Sequence, residues 1–292
     1  MPPPISLSRV FTWWLLDPLA LAMVGAAAVL YFGGVRRLAR RGRAWSVGRS
    51  ASFGAGLIVL LFAASSGLAR YEEVLFSAHV GQHLLLGLLA PFLLALGAPV
   101  TLSLQASHRS TQVFLLRVLN SAPIRVLSQP VVVLAAFSGS LLLLYFSDLF
   151  ELSLRNGVVH QWLHLHFVTA GLLFFWVVVG VDPSPSRPPA WARAMLLLMV
   201  VPVHAILGIA LLTGDTVVAG DWYEALGRGW GASALDDQRT GGALMWTVGE
   251  LMTLVAVGVL VAQWVRSERR RAVRLDRQLD RHVDAAAPEL VS

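Results

Sequence analysis

Apolar residues run in long unbroken stretches along this chain, and polar residues gather between them. A helix that crosses a bilayer needs about 20 mostly apolar residues. Seven stretches meet that length, at roughly 15–35, 51–69, 77–105, 126–148, 157–181, 192–213 and 241–265. The pattern predicts an all-α, polytopic membrane helix bundle with seven transmembrane helices over residues 1–265, then a charged tail over 266–292 that frays into disorder. Pro91 and Pro99 interrupt the third stretch, so a kink or an early exit is expected there. The first residues, MPPPISLSRVF, lack a charged start and a small-residue cleavage site, so no removed signal peptide is expected.

Composition agrees with this pattern. Of 292 residues, 56% are hydrophobic and 14% charged, whereas a soluble domain carries charge on about a quarter of its residues. Every basic residue is Arg, and their placement predicts an orientation. Eighteen fall after the first, third and fifth spans or in the tail, from Arg36 to Arg281, against five on the other side: Arg9, Arg70, Arg155, Arg228 and Arg239. The positive-inside rule then puts the N-terminus outside and the C-terminus in the cytoplasm. Because the Arg residues flank apolar spans, membrane lipid is the expected surrounding and nucleic acid is not an expected partner. There is no Cys. Thiolate metal sites and disulfides are excluded, and a metal site must use His, Met, carboxylate or backbone atoms.

The polar residues inside the spans carry the chemistry. With this topology the third, fifth and seventh spans all begin at the outer face. The third opens with His79, Gln82 and His83, and the fifth with His160, His164 and His166. Residues four apart share a helical face, so each span presents an HxxxH pair in its first turns. Ionisable groups inside a membrane are costly and usually face the bundle interior or a wet cavity. One such His is commonly a cross-link between helices, but two pairs at equal depth point to a metal. His79, His83, His160 and His164 are the candidate ligands, with Met245 on the seventh span as a soft thioether that would favour copper. His166, His204, Gln82, Asp237 and Gln238 are candidate supporting residues. Asp237 has a plainer reading as a cap for the start of the seventh span. No phosphate-binding loop, HExxH or serine-hydrolase motif is present, and no catalytic residue is assigned.

Three motifs together carry a family resemblance. AHVGQH at Ala78–His83 leads through an apolar run to GAP at Gly97–Pro99. Paired His open a later span at His160 and His164, and DQRTGGALMW at Asp237–Trp246 opens the last. These resemble the CtaG family of cytochrome c oxidase assembly proteins, over about residues 10–265. The resemblance implies a non-enzymatic plasma-membrane factor that matures a haem–copper oxidase, delivering or holding copper for it. The implied partners are terminal oxidase subunits or their assembly intermediates, with an external copper chaperone. Family members often carry Met between the two His of the first motif, where this chain has Val80. An alternative reading is a b-type haem protein with one His from each of two spans as axial ligands.

Overall fold

The computed structural model describes residues 1–286. Its principal helices are α1 (Pro18–Arg40), α2 (Val47–Tyr71), α3 (Phe76–Ala106), α4 (Pro130–Tyr145), α5 (Leu149–Arg155), α6 (Gly157–Val179), α7 (Ala190–Thr213) and α8 (Ala234–Ala286). No strand occurs among the described residues. Six of the eight, all but α4 and α5, are long and apolar enough to cross a membrane. The expected fourth span is instead a bent pair, α4 and α5, meeting at 77°. Leu30, Ile58, Met199 and Leu254 are among many large apolar side chains left exposed on the helices, as a lipid-facing surface requires.

Local sequence sets the helix ends. Asp17 caps α1, its carboxylate accepting from the Leu19 and Ala20 N–H groups at 2.8 and 3.3 Å, with Pro18 in the first turn. At the far end of α6, Gly180 takes the left-handed conformation. No such stop follows the apolar part of α8. That 53-residue helix, about 80 Å at 1.5 Å per residue, runs unbroken from the apolar span into the charged segment. The last six residues of the expected tail, and the side chains of Arg274, Arg277 and Arg281, lie outside the described residues.

The expected irregularity in α3 takes a definite form. Pro91 cannot donate to the carbonyl four residues back, that of Gly87. The helix widens to a π-turn over Leu85–Leu89, and the freed Gly87 carbonyl meets α6 at Gly171. A Cβ on Gly171 would lie 2.2 Å from that oxygen and 2.8 Å from Pro91 Cγ, so only glycine admits the contact. The second break, at Ala98 and Pro99, is a left-handed turn rather than an exit, and the chain continues helical to Ala106.

Contacts along the helices give their directions. His79 meets His160, His83 meets His164, Gly87 meets Phe167 and Gly171, and Phe92 meets Phe175. Both numbers rise together, so α3 and α6 run parallel and begin at the same end. Ser77 on Asp237 and Val80 beside Gly241 place the start of α8 at that end too. α7 runs antiparallel to α8. Their backbones touch at Gly208 and Gly242, where a Cβ on either would lie 2.8–2.9 Å from the other's carbonyl oxygen.

Replacing Gly171 by Val should therefore force α3 and α6 apart. The expected cost is about 1–3 kcal/mol, the usual scale of overpacking, read as a lower thermal midpoint of the detergent-solubilised protein. Gly33→Ala, at a position with nothing within 4 Å, should leave that midpoint unchanged.

Candidate metal centre

The parallel register of α3 and α6 brings the two HxxxH pairs face to face. Within each helix the ring centroids are 4.0 Å apart for His79 and His83 and 4.4 Å for His160 and His164. Across the helices they are 5.8 Å for His79 and His160 and 5.7 Å for His83 and His164. Phe150 of α5 packs edge-on against His79 at 4.8 Å, and Phe167 packs against His83 at 4.6 Å. Three of the four imidazoles are buried and His164 is nearly so.

A fifth group joins them. Glu72 lies in the short link between α2 and α3, and its Oε2 is 3.1 Å from His160 Nε2 and 3.2 Å from His164 Nε2. Ligand atoms of these three residues all fall within 4.8 Å of one another. The contacts are not aligned hydrogen bonds. Glu72 Oε2, His164 Nε2 and both ring nitrogens of His79, His83 and His160 are buried without a hydrogen-bond partner. Buried polar atoms are almost always satisfied, and leaving one bare costs on the order of 1–3 kcal/mol. Glu72, His160 and His164 bring one carboxylate oxygen and imidazole nitrogens together, a donor type that suits a cation, and the unpartnered rings of His79 and His83 stand against them. Burial works against ionising Glu72, but the neighbouring His160 and His164 imidazoles favour the carboxylate and lower its pKa. Glu72 is thus an anion at neutral pH.

Glu72 is not among the candidate residues read from the sequence. The available signal was its spacing, seven residues before His79. The link between α2 and α3 is too short to carry it far from the rim.

The centre has one open side. A groove of about 80 Å³ between α1, α2 and α6 ends at His164 and is otherwise lined by Asp17, Gln161 and apolar side chains such as Leu60 and Val168.

The other candidate residues lie around this centre. Gln82 donates from Nε2 to the Ala63 carbonyl of α2 at 3.0 Å, so it ties helices together and touches no imidazole through that bond. Asp237 accepts from Ser77 Oγ at 2.5 Å and from the Ser77 N–H at 3.4 Å. It caps α3, and Ser233 caps the start of α8 in its place by accepting from the Asp236 N–H. Gln238 accepts from the Val218 N–H at 2.7 Å and donates to the Thr216 carbonyl at 3.0 Å, pinning the loop before α8. His166 turns away from the four imidazoles and stacks on Trp162 with centroids 6.0 Å apart. Met245, His204 and Val80 are fully buried and line a separate cavity that also reaches His83.

The profile of the cytochrome c oxidase caa3 assembly factor family, Caa3_CtaG, matches residues 29–267. The chain belongs to that family. The match takes in Glu72, all four paired histidines and Met245. Curated relatives include a protein of Mycobacterium leprae, described as uncharacterized, that is 36% identical over 96% of this chain and 44% of its own length. An uncharacterized protein of Mycobacterium bovis is also 36% identical, over 96% of this chain and 43% of its own length. The chain therefore spans less than half the length of the curated relatives it matches. No solved structure matches it.

The contacts of Asp237 make a stability prediction. Asp237→Ala removes the cap on α3 and should lower stability by about 1.5–3 kcal/mol, the range for hydrogen bonds to a charged group. Thermal unfolding in detergent checks this, and the amount of metal the folded protein takes up should not change.

Proposed function

We propose that this membrane protein is a non-enzymatic assembly factor that holds copper at its outer-leaflet histidine cluster and delivers it to a haem–copper oxidase. Family membership supports the assembly role. The observation that carries the copper reading is the convergence of buried, unpartnered atoms of Glu72, His160 and His164, with the unpartnered imidazoles of His79 and His83 facing them from α3.

Charge balance favours the monovalent ion. Moving net charge into low dielectric is expensive. One Glu72 carboxylate with neutral imidazoles and Cu(I) sums to zero, whereas a divalent ion would leave an unbalanced positive charge. Imidazole is a good copper ligand, and the absence of Cys removes the competing thiolate chemistry. Glu72 attracts the cation and His160 and His164 flank it. His79 and His83 close the opposite wall, and the groove at His164 lets a partner reach the ion from the side. The haem alternative fits less well: a macrocycle needs a flat slot between its axial ligands, but here the two imidazole walls stand under 6 Å apart with Phe150 and Phe167 packed against them.

Seven crossings of a bacterial plasma membrane fit this role, with the N-terminus and the cluster outside and the C-terminus in the cytoplasm. The parallel course of α3 and α6 supports this count, since the bent pair α4–α5 must return the chain to the end where α3 began. The Arg bias supports the orientation. The partners are then oxidase subunits or assembly intermediates on the outer side, with an external chaperone as the copper source.

The deciding experiment is copper analysis of purified protein, scored beside oxidase activity in the same cells. His79→Ala combined with His83→Ala should abolish both bound copper and oxidase maturation. Glu72→Gln, which keeps size and removes charge, should weaken copper binding by about tenfold or more, about 1.4 kcal/mol. Copper content in the double variant equal to wild type would overturn the copper reading.

A further inference from the structure

A second cavity lies between α3, α4, α6, α7 and α8, and extends from the level of Val80 and His83 down to Gly87 and Leu88. It holds about 20 Å³, room for about one water-sized occupant. Three of its lining side chains carry heteroatoms, His83, His204 and Met245, and the others, including Val80, Phe137 and Phe167, are apolar. His83, His204 and Met245 are 4%, 2% and 2% exposed.

The surroundings hold these side chains in place. His204 Nδ1 lies 3.2 Å from the Val200 carbonyl one turn back. A carbonyl only accepts, so Nδ1 carries the proton and the neutral ring keeps its Nε2 lone pair free for a ligand. Fixing one ring nitrogen on a backbone carbonyl is how metal-binding imidazoles are commonly oriented. Gly249 of α8 makes space for this ring, since a Cβ there would lie 2.9 Å from His204 Cδ2 and 3.0 Å from Cγ. The Gly208–Gly242 contact, about one turn from His204 and from Met245, presses α7 and α8 together. His83, the third member, has both ring nitrogens unpartnered. A water here would meet a thioether, which is a weak acceptor. A soft cation would find two imidazole nitrogens and a sulfur.

We propose that His83, His204 and Met245 form an inner metal station, and that Cu(I) moves between it and the outer cluster with His83 common to both. This rests on the copper reading of the outer cluster. The transfer is ligand exchange without redox change. Bonds from copper to the other outer ligands break as bonds to the His204 nitrogen and the Met245 sulfur form, His83 stays bound, and no proton or electron moves. Glu72 remains at the rim, so an ion that moves inward leaves its counter-charge behind. The soft Met245 sulfur offsets that loss, so both stations are populated at equilibrium.

X-ray absorption on the selenomethionine-labelled full chain, loaded anaerobically with Cu(I), tests this. The chain has six Met. Wild type should show a copper–selenium contact that disappears in Met245→Leu, a volume-conserving change, while total copper stays within about twofold of wild type. As a second variant, Met23, Met195, Met199 and Met252 are all replaced by Leu and Met245 is kept; the contact should persist. Copper bound with only nitrogen and oxygen neighbours in wild type would overturn the inner station and leave the outer cluster standing, as would a selenium contact that survives Met245→Leu. In His79→Ala with His160→Ala, copper and the selenium contact should both fall at least tenfold. If both persist, the outer cluster is not the source and the exchange between stations is overturned.

Discussion

Pro91 has no N–H to give the Gly87 carbonyl, and that carbonyl packs against Gly171 of α6. This contact fixes how far α3 and α6 can slide past each other. One and two turns above it, the same register sets His83 opposite His164 and His79 opposite His160. A slip of one residue would turn each imidazole by about 100° and scatter the pairs. The cluster thus depends on a backbone defect deeper in the membrane that carries no chemistry of its own.

The polar groups around the cluster divide into those that hold the bundle and those left open. Gln82 Nε2, Asp237 and Gln238 make hydrogen bonds to neighbouring segments, while Gln82 Oε1 is left without a partner. In hydrocarbon these are strong constraints, because no water stands ready to replace a lost partner. The imidazoles and Glu72 are treated differently. Many of their heteroatoms remain unpaired, a state the bundle sustains only through the rigidity of the contacts around it. His83, His204 and Met245 line one small cavity, with glycines again supplying the close helix approach.

Much of this was legible in the chain. The apolar runs gave the six long helices, since about 20 residues of hydrocarbon thickness is a length that sequence records directly. The 3.6-residue period alone made His79 with His83, and His160 with His164, two one-sided pairs. The family motifs at Ala78–His83 and Asp237–Trp246 were readable as strings. The fourth run, 126–148, was read as one span; α4 covers 130–145 of it, and after a short Phe-Ser-Asp turn the chain bends by 77° into α5, which the pattern did not predict and which places Phe150 on His79. Asp237 read as a cap for its own helix and instead caps α3, a choice that depends on how close two helix starts lie.

Sequence by itself determined what depends on local periodicity and composition: a helical membrane protein, paired imidazoles on two helix faces, and no thiol to compete for a metal. Only the tertiary structure decided which pairs meet, that Glu72 lies against His160 and His164, and that Met245 shares a cavity with His83 and His204. The reason is physical. A helix records in its sequence which residues share a face. Its rotation and sliding against its neighbours are set by glycine contacts and cross-helix caps between residues far apart in the chain, as with Gly87 and Gly171 or Ser77 and Asp237.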